Sequence, residues 1–147
     1  MFPLIPSLLW VDACSLMFMF RSKRNTLTRR LWKARVVPDK SQDDTEIKSS
    51  GQALLKRLSE RQLELLLTAV ETKGAETGEC VLLAKGPMQM GKKKVSPEVL
   101  CCQLWRWLDM DGECEIKRLP CCRSANDPVY TCCNPYHWSR VFIPGKL

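Results

Sequence analysis

The single histidine of this 147-residue chain lies five residues after one cysteine and four after another, in the segment TCCNPYHWSR. Thiolate sulfur and imidazole nitrogen are donors that a structural zinc ion prefers, and it takes four of them in a tetrahedron. Cys132 and His137 therefore predict half of a zinc site, with Asn134 and Pro135 turning the chain between them. The alternative is a half-buried histidine beside two core cysteines, because a Cys-x4-His pair alone is weak evidence.

Cysteine is unusually frequent in the second half of the chain, where eight of the nine lie between Cys80 and Cys133. Such a density fits either a secreted, disulfide-stapled domain or an intracellular metal site. Adjacent cysteines occur at 101/102, 121/122 and 132/133, and neighbours in sequence rarely satisfy disulfide geometry. The chain also lacks an Asn-x-Ser/Thr glycosylation signal. The pattern therefore favours metal.

The elements that must position these residues begin with two helices that the sequence divides at Ser59. Leu55 and Leu58 share one face, and Ser59 with Gln62 forms a capping box that starts a second helix. Apolar residues then recur at helical spacing until Gly74 supplies a stop. A strand over Cys80–Leu83, a hairpin around Gly86–Gly91 and a helix that starts at Ser96 and Pro97 follow.

The amino-terminal third is apolar at first and then strongly basic. Residues 1–18 form an apolar extension, but an internal aspartate, two prolines and the lack of preceding positive charge disfavour a transmembrane helix or secretory signal. Residues 21–40 hold eight basic groups and one acidic group, and the net charge of the remaining chain is zero. We expect residues 19–49 to be a mostly disordered basic arm and polar linker, helical at most around Leu27–Arg35. Its role is either a solvated tail or a nuclear-import or anionic-surface signal.

Several blocks resemble, in the same order, the Mad homology domain at the N-terminus of Smad proteins. They are LLKRLSERQLELLLTAVE, ECVLLA, CCQLWRWLDM, EIKRLPCC and CCNPYHWSR, which span residues 54–141. The segment MFRSKRNTLTRRLWKARVVPD, from Met19, is similar to the opening of the inhibitory Smads, which antagonise receptors of the TGF-β and BMP class. By this resemblance, the chain is an N-terminal half without the C-terminal Mad homology domain.

The resemblance implies an α+β fold in which about four short helices and short β-hairpins of residues 50–147 surround one structural zinc ion. It implies Cys80, one cysteine of the 121/122 doublet, Cys132 and His137 as the ligands. An ungapped match of EIKRLPCC selects Cys122, with Cys121 as the alternative. The other cysteines are then small, mostly buried apolar side chains.

DNA contact is the second property that the resemblance implies. In receptor-regulated Smads a β-hairpin enters the major groove, and the corresponding stretch here is shorter, with Lys85, Gln89, Lys92, Lys93 and Lys94 as candidate contacts. Adjacent lysines on a strand point to alternating faces, which suits phosphates better than base edges. A solvated basic turn is the alternative.

A non-enzymatic regulator in nucleus and cytoplasm is therefore predicted. Its expected partners are DNA, other Smads and transcription factors, and we expect neither a small-molecule substrate nor stable membrane insertion. A pure protein-interaction domain without DNA affinity is the competing hypothesis. Catalysis is disfavoured, because a nucleophilic pair of Cys133 and His137 has no third orienting group that the sequence can place beside it.

Overall fold

Four α-helices and six short strands make up the described part of the chain, residues 13–36, 45–76, 78–110 and 115–141 of a computed structural model. The helices are α1 (Ala13–Ala34), α2 (Thr45–Arg57), α3 (Glu60–Glu71) and α4 (Pro97–Trp105). The strands are β1 (Leu82–Ala84), β2 (Met88–Met90), β3 (Lys93–Val95), β4 (Glu115–Arg118), β5 (Tyr130–Cys132) and β6 (Trp138–Val141). The predicted α+β class with four helices is confirmed.

The break between α2 and α3 falls at Ser59, as predicted. Its hydroxyl oxygen accepts a hydrogen bond of 3.2 Å from the backbone N–H of Gln62, which satisfies a donor left free by the first helical turn. The other hydrogen bond of the predicted capping box, from the backbone N–H of Ser59 to the side chain of Gln62, was wrongly predicted. The side-chain oxygen of Gln62 instead accepts from the N–H of Leu82 at 3.0 Å and ties α3 to β1. Helix α2 begins at Thr45, within the segment that was expected to be a mostly disordered linker.

Helix α1 corrects the expectation of a mostly disordered arm for residues 19–36. Leu27 and Leu31, four residues apart on one face, are buried in the same core as the leucines of α3. The indole N–H of Trp105 donates to the carbonyl of Leu31 at 2.9 Å, and the N–H of Val36 donates to that of Leu104 at 2.7 Å. Residues 37–44 lie outside the described residues. The start of the zinc-binding domain at residue 50 stays a prediction.

Within the described ranges, three two-stranded antiparallel sheets accompany the helices, and one of the three is a local hairpin. Strands β2 and β3 form that hairpin. Its turn contains Gly91, whose φ is 62°, so the turn lies at the C-terminal end of the predicted 86–91 stretch. The other two sheets pair β1 with β5 and β4 with β6, which are distant in sequence. Their registers bring separate cysteine-bearing loops together.

The main core is formed by the apolar faces of all four helices together with the hairpin. Leu54, Leu63, Leu66, Leu100 and Leu104 are almost fully buried in it. Cys101 and Cys133 belong to this core, and Cys102 packs in a second cluster with Met110 and Trp138. No helix in the described ranges is both long and apolar enough to span a membrane.

Candidate metal centre and basic hairpin

Strand register positions the residues that were predicted as zinc ligands. Leu82 pairs with Cys132 between β1 and β5, which sets Cys132 beside the segment that carries Cys80. Arg118 pairs with Trp138 between β4 and β6, which sets the loop after β4 beside His137. Backbone hydrogen bonds extend this pairing beyond the strands. The N–H of Leu119 donates to the carbonyl of His137, and the N–H of Cys122 donates to the carbonyl of Leu119.

The turn before His137 is the one that the Asn-Pro dipeptide predicted. Asn134 is 1% exposed, and its side-chain oxygen accepts from the N–H of Tyr136 at 2.9 Å, which starts the short 3₁₀ turn Pro135–His137. The amide group of Asn134 also donates to the carbonyl of Glu79 at 3.3 Å. This side chain therefore joins the segment carrying Cys80 to the turn carrying His137.

The ligand atoms of Cys80, Cys122, Cys132 and His137 all lie within 4.8 Å of one another. The Sγ atoms of Cys80 and Cys122 are 3.7 Å apart, and Nδ1 of His137 is 3.6 Å from Sγ of Cys80 and 3.4 Å from Sγ of Cys132. A zinc tetrahedron with ordinary bond lengths has S···S edges of about 3.8 Å and S···N edges of about 3.6 Å. The donor set and its spacing therefore fit one tetrahedral zinc ion.

Disulfide bonds do not account for this cluster. All seven cysteines whose side chains the structure describes are free thiols, and a disulfide would require sulfur atoms about 2.05 Å apart. Of the doublet, Cys122 is buried and joins the cluster, whereas Cys121 is exposed to solvent. Geometry thus favours Cys122 at the position that the sequence left open.

The imidazole of His137 is oriented by the backbone. Its Nε2 lies 2.9 Å from the carbonyl oxygen of Gly78, while Nδ1 faces the thiols. Metal-binding histidines usually donate their second ring nitrogen in this way, which fixes the tautomer and the ring plane. The ring is 2% exposed, so water does not compete for this contact.

The pKa values of two thiols in the cluster are shifted in opposite directions. Burial raises the pKa of the Cys132 thiol, with a further increase from the neighbouring Cys122 and Cys80. Burial also opposes ionisation of Cys122, but hydrogen bonds from Ser124 and from the guanidinium of Arg118 outweigh it and lower its pKa to about 6. Burial raises the pKa of Cys102 to about 12, in keeping with a structural thiol.

Three further contacts at the site were not predicted from the sequence. A guanidinium nitrogen of Arg118 donates to Sγ of Cys122 at 3.1 Å and to Oγ of Ser124 at 2.9 Å. Oγ of Ser124 also lies 3.3 Å from that sulfur. Together with the carbonyl of Gly78, these groups surround the cluster with polar partners. The feature of the sequence that could have indicated these contacts is that Arg118 and Ser124 flank the 121/122 doublet.

The candidate DNA contacts are all exposed, but they do not form one surface. Gln89 pairs with Lys94 across the hairpin, while Lys93 pairs with Met90 on the opposite face. The side-chain amide of Gln89 already donates to the carbonyl of Gly91 at 2.6 Å. Lys92 lies in the turn, and Lys85 lies outside the hairpin, just after β1. Adjacent lysines thus alternate between the two faces of the hairpin, as predicted.

Comparison with known proteins places these features in a family. The MH1 domain matches residues 47–142. Mothers against decapentaplegic homolog 6 of Gallus gallus is 44% identical over 104 residues, covering 69% of this chain and 24% of that protein. Homolog 7 of Homo sapiens is 38% identical over 113 residues, with 67% and 26% covered. Homolog 4 of Homo sapiens is 36% identical over 111 residues, with 71% and 20% covered.

The MH1 match covers well over half of the chain, and its range contains all four residues of the cluster. The chain therefore belongs to the MH1-domain family, the N-terminal Mad homology domain of the Smads. The resemblance drawn from the sequence blocks is confirmed. The chain spans about a quarter of the length of the curated relatives homolog 6 and homolog 7 that it matches.

Proposed function

We propose that this chain is a zinc-stabilised, non-enzymatic regulatory module that lowers signalling from TGF-β and BMP receptors. The observation that carries the proposal is the Cys₃His cluster inside an MH1 domain whose relatives include homologs 6 and 7. The zinc ion is structural, because four protein ligands leave no open coordination position for substrate. Nucleus and cytoplasm are its proposed locations, and other Smads and transcription factors its proposed protein partners.

DNA is the proposed nucleic-acid partner, bound through phosphates at the hairpin. Lys92, Lys93 and Lys94 are exposed and lie within three consecutive positions, which gives a local positive charge. Because the lysines face different sides and the amide of Gln89 has an internal partner, we expect little reading of base edges. A protein-interaction domain without DNA affinity is the competing function, and the same two features favour it.

A titration against duplex DNA over a salt series separates these functions. Two lysine–phosphate contacts contribute about two units to the slope of log affinity against log salt concentration, so Lys92→Ala/Lys94→Ala should flatten the slope by about that amount. The matched control is Lys48→Ala/Lys117→Ala, which removes two exposed charges from α2 and β4. Weak binding of the unmodified chain, insensitive to salt, would support the protein-interaction function. Equal losses in both double variants would also contradict the hairpin contact.

A further inference from the structure

A groove of about 560 Å³ lies between α1 and α2, away from the metal centre. The side chains that matter are Arg24, Arg29, Trp32 and Lys33 of α1 and Leu55 and Lys56 of α2. On α1 these residues recur at intervals of three to five, and on α2 Leu55 and Lys56 lie three and four residues after Gln52, which also lines the groove, so each set occupies one helical face. We call this surface the α1–α2 groove.

The groove is positively charged, and no acidic side chain of the described residues lines it. Four of its lining side chains are cationic and none is acidic. The glutamates that pair with α1 lie on the side of α3, where Lys23 contacts Glu60 and Glu64 and Arg30 contacts Glu71. Arg29 and Lys33 are exposed and make no ion pair with any described residue. Among the described residues, one face of helix α1 therefore has its charges paired with glutamates and the face lining the groove does not.

The floor of the groove is apolar, and its walls are fixed. Leu55 is 4% exposed, and the half-buried ring of Trp32 is stacked by the guanidinium of Arg35 at 4.3 Å. Arg24 crosses from α1 and donates to the carbonyls of Leu55 at 2.9 Å and Lys56 at 3.1 Å, at the C-terminal end of α2. The groove is thus preformed, which reduces the entropy cost of binding.

From these features we infer that the α1–α2 groove binds an acidic amphipathic segment of a partner protein. Apolar side chains of the segment would pack on Trp32 and Leu55, and its carboxylates would pair with Arg29, Lys33 and Lys56. The lining of α1 extends over ten residues from Arg24 to Lys33, a rise of roughly 14 Å, which matches two to three turns of a bound helix. This inference goes beyond the proposed function and does not depend on the zinc ion or on the hairpin.

The shape of the surface favours a peptide over the other polyanions. Duplex DNA is read by elements that project from a protein, whereas these cations line a concave surface with an apolar floor that phosphates cannot use. An anionic membrane needs apolar groups that protrude, and Leu55 lies recessed. A peptide supplies both the apolar and the anionic half of the complement.

Fluorescence polarisation with the full chain tests the inference. The probe is a labelled peptide of about 14 residues with leucine and phenylalanine at helical spacing and glutamate elsewhere, and the reference is its scrambled form. Arg29→Glu/Lys33→Glu should weaken binding of the patterned probe by about tenfold or more, because both reversals place like charge on the groove. Lys92→Glu/Lys93→Glu, an equal reversal on the hairpin, should leave it unchanged. The milder Arg29→Gln/Lys33→Gln variant should weaken binding to a smaller extent.

The same variants are titrated with a short duplex DNA and with vesicles that contain phosphatidylserine. Retention of DNA affinity by Arg29→Glu/Lys33→Glu, with loss of the peptide, supports the inference. Loss of DNA or vesicle binding with no loss of peptide binding would assign the groove to those partners and overturn it. Equal affinity for the scrambled peptide would overturn it as well. Failure of the hairpin contact would appear separately, as no effect of Lys92→Glu/Lys93→Glu on DNA binding.

Discussion

Nε2 of His137 lies 2.9 Å from the carbonyl oxygen of Gly78. A carbonyl only accepts, so Nε2 carries the proton and Nδ1 directs its lone pair at the thiols. We expect long-range ¹H–¹⁵N NMR spectra of the zinc-loaded chain to show a protonated Nε2 and an unprotonated, metal-shifted Nδ1. The chain has one histidine, so the signals need no assignment. A protonated Nδ1 at neutral pH would contradict this orientation.

Arg118 is expected to strengthen metal binding through Cys122. Its guanidinium donates to that sulfur at 3.1 Å and stacks on the ring of Trp138 at 4.5 Å, which holds it in place. Arg118→Ala removes a charge-assisted hydrogen bond from the thiolate. Zinc affinity, measured by competition with a chelator, should fall by about 10- to 100-fold, the usual cost of losing such a partner.

Two variants control for charge and for geometry at this position. Lys117→Ala removes the neighbouring exposed charge on β4 and should leave zinc affinity nearly unchanged. Arg118→Lys keeps the charge but loses the planar donor fork, so its affinity should lie between those of the other two. A loss in Lys117→Ala as large as that in Arg118→Ala would assign the effect to general charge.

The contact between Trp32 of α1 and Gly51 of α2 predicts that a side chain at residue 51 destabilises the fold. A Cβ atom on Gly51 would lie 2.8 Å from Cζ3 of Trp32 and 3.1 Å from Cδ1 of Leu104. Gly51→Val should therefore lower the free energy of unfolding in urea by about 1–3 kcal/mol, the usual cost of overpacking. The adjacent, exposed substitution Gln52→Val controls for the helix propensity of valine.

A double-mutant cycle assigns that cost to Trp32. In a Trp32→Ala background the added valine has room, so Gly51→Val should cost measurably less than in the unmodified chain. If the two costs are equal, α1 is not packed against residue 51 in solution.

Local patterns were enough to predict the helical pair, the break at Ser59 and the turn before His137, because each rests on neighbouring residues. Docking of α1 was not predictable in this way. Leu27 and Leu31 stand in a densely basic segment, which favours solvent exposure when read alone. The glutamates that offset Lys23 and Arg30 lie on α3, so the compensation exists only after folding.

The surroundings of the metal centre also lay beyond sequence reasoning. The acceptor for His137 is a backbone carbonyl, which any residue at position 78 provides, so no residue type marks it. Gln62 had a local partner available in the capping box, but strand β1 passes close enough for Leu82 to take its side-chain oxygen. Tertiary contacts thus replaced the local alternatives that the sequence indicated.

The zinc content of paired variants tests the central claim most directly. The full chain is used, because α1 contributes Leu27 and Leu31 to the core. Elemental analysis should find one zinc ion per unmodified chain and per Cys121→Ala chain. The Cys122→Ala, Cys132→Ala and His137→Ala chains should lose the metal and unfold without cooperativity, since zinc binding energy appears as folding energy. A Cys122→Ala chain that keeps its zinc, or an unmodified chain that is metal-free, folded and disulfide-bonded, would contradict the account.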